Sequence, residues 1–166
     1  MSHDHAAASD PRRGKTASTQ ALHDFVSIVI GEQLFGIPVL QVQDVLGPQR
    51  ITRIPLAPPE VAGSLNLRGR IVTAIDIRTR LGLPEFADGA KRMSIVVDDG
   101  GELYSLMVDQ VGEVLSLTDA AFERNPATLD PRWREVSAGI YRLDNTLLVV
   151  LDVARLLNLS AHSEAA

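Results

Sequence analysis

The chain repeats itself, and this constrains its fold more than any other feature of the 166 residues. Phe35-Gly36-Ile37-Pro38-Val39-Leu40-Gln41-Val42-Gln43-Asp44-Val45-Leu46 returns 69 positions later as Tyr104-Ser105-Leu106-Met107-Val108-Asp109-Gln110-Val111-Gly112-Glu113-Val114-Leu115. Aromatic stands on aromatic. Val39, Val42 and Val45 stand on Val108, Val111 and Val114, and Asp44 on Glu113. A second match runs at an offset of 76, pairing Gly63 with Gly139, Leu67 with Leu143, Ile71 with Leu147, Ile75 with Leu151, Asp76 with Asp152 and Leu81 with Leu157. The larger offset gives the second copy a longer middle loop. The copies span about 25–83 and 93–159. A unit of roughly 60 to 70 residues buries too little surface to be robust alone, so the two are expected to pack together as lobes.

The local pattern is that of β-structure. Phe25 to Ile30 is short, apolar and β-branched, and Gly31 ends it. Met93 to Val97 runs into Asp98-Asp99-Gly100-Gly101, a hairpin signal. Ile71–Ile75 and Leu147–Leu151 are apolar throughout and read as strands buried on both faces. Short strands at this spacing suggest small barrels. Pro38 to Leu46 fits both the helical and the strand period. Asp76 and Asp152 are placed to cap short helices over 77–81 and 153–157, and Asp130-Pro131 is an N-cap with its first-turn proline. Pro58 to Gly63 suggests one helical turn. Residues 1–22, rich in Ala, Ser, Thr and charge, and 160–166 read as flexible tails.

Several chemistries are disfavoured. No histidine falls between Phe25 and Leu159, which removes Ser-His-Asp and most zinc arrangements. His3 and His5 are close enough to hold a stray metal weakly, but they lie in the tail, and no metal or cofactor is expected. There is no cysteine, hence no disulfide, thiolate site or cysteine nucleophile. A net charge of −5 with 4% aromatic residues argues against nucleic acid. The longest apolar runs, such as Leu147–Leu151, fall far short of the roughly 18 residues of a membrane span, and residues 1–20 hold no secretory apolar stretch. The chain is expected to be soluble and cytoplasmic, without insertion in the membrane. Trp133, the single tryptophan, suits a core plug better than an interface anchor.

One asymmetry between the copies points to recognition. Asn66-Leu67-Arg68-Gly69 reads as a tight turn, and Arg68 is opposite in sign to Asp44. In the second copy the same positions hold Asp144 and Glu113, which repel. An exposed ion pair adds little to stability, so the first-copy pair is a candidate recognition surface. Asp76, Asp109 and Asp152 would support a ligand-binding or enzymatic barrel only if they converged in one pocket.

Taken in order, Phe35-Gly36-Ile37, Val42-Gln43-Asp44-Val45, Ile51-Thr52-Arg53-Ile54-Pro55, Gly63-Ser64-Leu65-Asn66-Leu67-Arg68-Gly69, Ile75-Asp76-Ile77-Arg78 and Val108-Asp109-Gln110-Val111-Gly112-Glu113-Val114-Leu115 resemble the CheW coupling proteins of bacterial chemotaxis. The resemblance covers residues 25 to about 159. It implies a mainly β domain over 23–159, built of two pseudo-symmetric five-stranded SH3-like barrels with few short helices. It implies an adaptor without catalysis, joining the cytoplasmic tips of methyl-accepting chemoreceptors to the histidine kinase CheA in arrays beneath the inner membrane. It places the kinase-binding face on Val42, Asp44, Gly63 and Arg68, and the receptor groove on Val39, Val45, Val111 and Val114. An adaptor of another receptor–kinase pathway, for surface motility or gene regulation, would look the same. Two positions depart from the family pattern. Asp44 stands where Glu is usual, one methylene shorter toward Arg68, and Thr73-Ala74 replaces Val-Pro.

Overall fold

Short β-branched runs cut by glycine build the strands. The computed structural model describes residues 21–85 and 92–158. β1 (Leu22–Ile30) turns at Gly31, which has φ +66°, into β2 (Gln33–Pro38). A 3-10 turn over Val39–Gln41 leads to β3 (Val42–Leu46), and a long loop to the hairpin of β4 (Val61–Leu67) and β5 (Arg70–Asp76). Helix α1 (Ile77–Arg80) closes this half. The second half follows the same plan, with β6 (Met93–Asp99), β7 (Glu102–Val108), β8 (Gln110–Thr118), helix α2 (Pro131–Arg134), β9 (Ser137–Arg142), β10 (Leu147–Leu151) and helix α3 (Val153–Leu156).

The pairing reproduces both sequence offsets residue by residue. Phe25 opposes Pro38 as Ser94 opposes Met107. Val26 opposes Val114 as Ile95 opposes Val45, with a bulge in the corresponding place of each pair. The parallel contact of Val149 with Phe35 matches that of Thr73 with Tyr104. Even the isolated bridges correspond, Thr52 with Ser64 and Glu123 with Ile140.

The copies do not, however, fold as separate lobes. One five-stranded sheet has the order β8-β1-β2-β10-β9 and the other β3-β6-β7-β5-β4. Each therefore takes two strands from one copy and three from the other, and the expected division at 25–83 and 93–159 does not describe the sheets. The connections explain the exchange. β1–β2 and β6–β7 close on two residues each, Gly31-Glu32 and Gly100-Gly101, the common length for a hairpin. Between β7 and β8 there is one residue, Asp109, and that is too short to turn the strand back beside its predecessor. The chain crosses to the other sheet instead, and the 3-10 turn at Val39–Gln41 makes the reciprocal crossing.

Exchange makes the principal core common to both sheets. Ile28, Phe35, Ile140 and Val149 of the first pack in one cluster with Ile75, Ile95, Val97 and Leu106 of the second. Each sheet also keeps a small cluster of its own, Phe25, Tyr141, Leu148 and Val150 in one and Leu65, Val72, Ala74, Val96, Leu103 and Met107 in the other. Trp133 packs against the common core with its ring edge-on to Phe35 at 5.6 Å, as a plug.

The capping carboxylates behave as expected. Asp76 accepts from the N–H groups of Arg78 and Thr79, Asp152 from that of Arg155, and Asp130 from that of Arg132. The turn expected over Pro58–Gly63 forms over Pro58–Val61 only, where the Val61 N–H donates to Pro58 O at 3.0 Å, and β4 rather than a helix follows from Val61. The segment Pro38–Leu46 divides between the 3-10 turn and β3. Leu22 opens β1 rather than ending a tail. The tail expectations for 1–20 and 160–166, with His3, His5 and His162, lie outside the described residues. Among the described residues no helix is long and apolar enough to cross a membrane.

Candidate functional site

The β4–β5 turn presents the first candidate side chain. Leu67 pairs with Arg70, and the two residues between them both have positive φ, +51° at Arg68 and +88° at Gly69. This is the backbone that matches strand twist in a two-residue hairpin. Asn66 Oδ1 accepts from the Gly69 N–H at 2.9 Å and fixes it. A side chain in this region costs on the order of 1 kcal/mol, and Arg68 bears that strain while 74% exposed. Its Nη2 donates to Asp44 Oδ2 at 2.7 Å. The shorter Asp therefore does reach. β3 and β4 are the outer strands of their sheet, so this contact, with the Thr52–Ser64 bridge, shows the sheet rolled until its edges meet. Asp44 also accepts from the Val45 N–H. The Arg68 guanidinium and then that N–H hold its carboxyl below the ordinary value.

The other residues expected on this face differ in kind. Val42 is half-buried and packs on the common core. Gly63 is buried at φ +152°, and a Cβ there would meet Thr52 O at 2.2 Å. Its counterpart Gly139, at φ +157°, meets Phe122 and Glu123 in the same way. The demand for glycine is thus steric and shared by both sheets.

The four valines expected to line a receptor groove differ in burial. Val39 and Val111 are half-buried against the common core. Val45 and Val114 are counterparts, 41% and 54% exposed, opposite Ile95 and Val26. Val39 also lines a cleft of about 470 Å³ with Leu22, Phe25, Leu40, Phe122 and Tyr141. Sequence reasoning missed this cleft. Its signal was Leu40, an apolar residue in a crossing turn, now almost wholly exposed.

Asp76, Asp109 and Asp152 form no common pocket. Each is engaged with an arginine and with backbone N–H groups: Asp76 with Arg92, Asp109 with Arg78, and Asp152 with Arg155. The Arg78–Asp109 pair was also missed, since nothing local marks residues 31 apart as partners. Among the described residues no three His, Asp or Glu side chains are grouped to hold a metal ion.

A rolled, strand-exchanged pair of five-stranded sheets with a charged seam is the setting in which comparison becomes informative. A model of the CheW-like domain matches residues 24–161. This chain belongs to the CheW-like domain family. Chemotaxis protein CheW of Klebsiella aerogenes is 30% identical over 144 residues, covering 87% of each chain. The probable chemotaxis protein CheW of Rhizobium etli is 27% identical over 147 residues, covering 89% of this chain and 94% of that one. The crystal structure of scaffolding protein TtCheW from Thermoanaerobacter tengcongensis superposes with a TM-score of 0.74 at 27% identity, over 83% of this chain and 94% of that chain. The CheW-like fold is mainly β, as the resemblance implied, and the family is one of scaffolds rather than enzymes.

Proposed function

We propose that this CheW-family scaffold couples the cytoplasmic tips of methyl-accepting chemoreceptors to the regulatory domain of the histidine kinase CheA, in arrays on the cytoplasmic side of the inner membrane. Val42, Asp44, Gly63 and Arg68 make the kinase face. Val39, Val45, Val111 and Val114 make the receptor groove. The observation that carries this reading is the Asp44–Arg68 pair, an arginine held exposed on a strained turn where it contributes little to the fold. Within the face, Gly63 acts through shape: it lets the loop at Thr52 approach β4 and so sets the surface on that side of the sheet.

The two faces divide the work of binding. Half-exposed valines offer apolar burial, worth about 25 cal/mol per Å². The charged seam contributes orientation more than affinity. An adaptor holding receptor and kinase together gains through effective concentration, so each contact by itself can be weak. A signal passes when receptor states differ in how they engage the groove, because equal affinity for both states shifts nothing.

Co-sedimentation tests the reading. The purified chain, mixed with receptor cytoplasmic fragments and CheA, is expected in the pellet with both. Absence from the pellet under every condition refutes the coupling role.

A further inference from the structure

The two places where the chain crosses between sheets are built differently. At the β7–β8 crossing, Asp109 Oδ2 accepts from the Gly31 N–H at 2.8 Å and from Arg78 Nη2 at 2.7 Å, while Oδ1 accepts from Arg78 Nε at 2.9 Å. The Asp109 N–H donates to Val29 O. Arg78 stands on α1, below the Asp76 cap, and its Nη1 donates to Pro84 O. The pair is largely buried, with side chains 19% and 17% exposed. One carboxylate thus joins the β1–β2 turn of one sheet to the helix that follows β5 of the other. Burial opposes its charge, yet Arg78 and the Gly31 N–H hold the Asp109 carboxyl below its ordinary value.

At the reciprocal crossing nothing comparable exists among the described residues. The counterpart of Asp109 is Leu40, 93% exposed, and that of Arg78 is Ala154, also exposed. The backbone is duplicated and the fastening is not. The fastened crossing leads directly into β8, two residues before Val111 and five before Val114. The unfastened one carries Val39.

We propose that Arg78 and Asp109 are positioning residues for the receptor groove: their bidentate pair fixes the start of β8, and with it the placement of Val111 and Val114. This rests on the adaptor reading. A bidentate fork fixes direction as well as distance, which a lysine does not. The kinase face carries its own ion pair, Asp44 with Arg68, and binding there is expected not to depend on the fastening.

The test uses the full chain with Arg78→Gln and Arg78→Lys, probed separately with a receptor cytoplasmic fragment and with the isolated regulatory domain of the kinase. Arg78→Gln is expected to weaken receptor-fragment binding about tenfold and to leave kinase-domain binding within about twofold. Amide hydrogen exchange is expected to quicken in residues 110–114 and to stay unchanged in 42–46. Arg78→Lys recovers part of the loss. Unchanged receptor binding in folded Arg78→Gln overturns the proposal. So does equal loss of both partners, or faster exchange throughout, since these mark a general structural role. If the unsubstituted chain binds no receptor fragment, the adaptor reading fails by itself, and unchanged exchange at 110–114 then overturns the fastening as well.

Discussion

The two sheets share one register and differ in chemistry. In the β3-β6-β7-β5-β4 sheet the rolled seam is closed by Asp44 and Arg68. At the corresponding seam of the β8-β1-β2-β10-β9 sheet stand Glu113 and Asp144, both exposed acids, and among the described residues neither forms a salt bridge. The crossings differ likewise, one fastened by Arg78 and Asp109 and one ending in exposed Leu40. Where the copies agree, at glycines, caps and core strands, the agreement is required by packing. At the exposed seam, where they diverge, packing is indifferent and a partner can set the choice. Function in this molecule is therefore sought in broken symmetry.

The largest test of that division falls on a shared position. Gly63→Ala and Gly139→Ala both place a Cβ against neighbouring atoms at positive φ. At Gly63 the nearest obstacle is backbone, Thr52 O at 2.2 Å, while at Gly139 it is the Phe122 ring, 39% exposed, with backbone Glu123 O further off at 2.7 Å. Both are expected to destabilise, Gly63→Ala by about 3 kcal/mol or more and Gly139→Ala by about half that. Denaturant melts measure the difference. Equal small losses would show that the close approach is not needed by either sheet.

Charge reversal at the diverged position comes next. Arg68→Asp gives this seam the pair of acids that the other already carries. It is expected to weaken binding of the kinase regulatory domain by about 30-fold or more, with far-UV spectrum and melting midpoint near those of the unsubstituted chain. Asp144→Arg, which gives the other seam a pair like that of Asp44 and Arg68, is expected to leave kinase affinity within about twofold, as a distant, independent site should. Titration calorimetry on both variants decides it. An unfolded Arg68→Asp would assign the pair to the fold, and a matching loss in Asp144→Arg would make the seams equivalent.

How far the sequence foretold this follows the same line. The offsets 69 and 76 predicted equivalent residues, and every strand pairing respects them. They did not say whose strands pair, because a repeat names counterparts and not neighbours. The clue lay in the single residue between β7 and β8. Asn66 to Gly69 was legible as a turn through Asn and Gly, but the positive φ of Arg68 comes from the two-residue hairpin length, which its residue type does not announce. The prolines of Pro58 to Gly63 do mark a turn, closed by Val61 N–H on Pro58 O, but Gly63 does not end it; it lies within β4 and serves the approach of Thr52. The acids reserved as a possible pocket proved to be helix caps and a crossing clasp, and burial beside arginines could be seen only once the fold was in hand.

The smallest expected effect is acid titration of the seam. The folded-state pKa of Asp44 is lowered, first by the hydrogen bond from Arg68. A depressed carboxyl favours folding fully above its unfolded value, near 3.9, and the contribution fades as pH falls through the folded midpoint. Since both partners face solvent, the change in stability is slight, and binding is the better readout. Kinase-domain affinity is expected to hold from neutral pH to about 4 and to fall below it as Asp44 takes up its proton. Arg68→Ala should return the Asp44 midpoint, followed by carboxyl NMR, toward 3.8. Salt should act in the same direction as acid, because a pair this exposed is screened. A midpoint that stays low without Arg68 would mean that the Val45 N–H alone sets it, and the seam would then be two separate charges rather than one oriented pair.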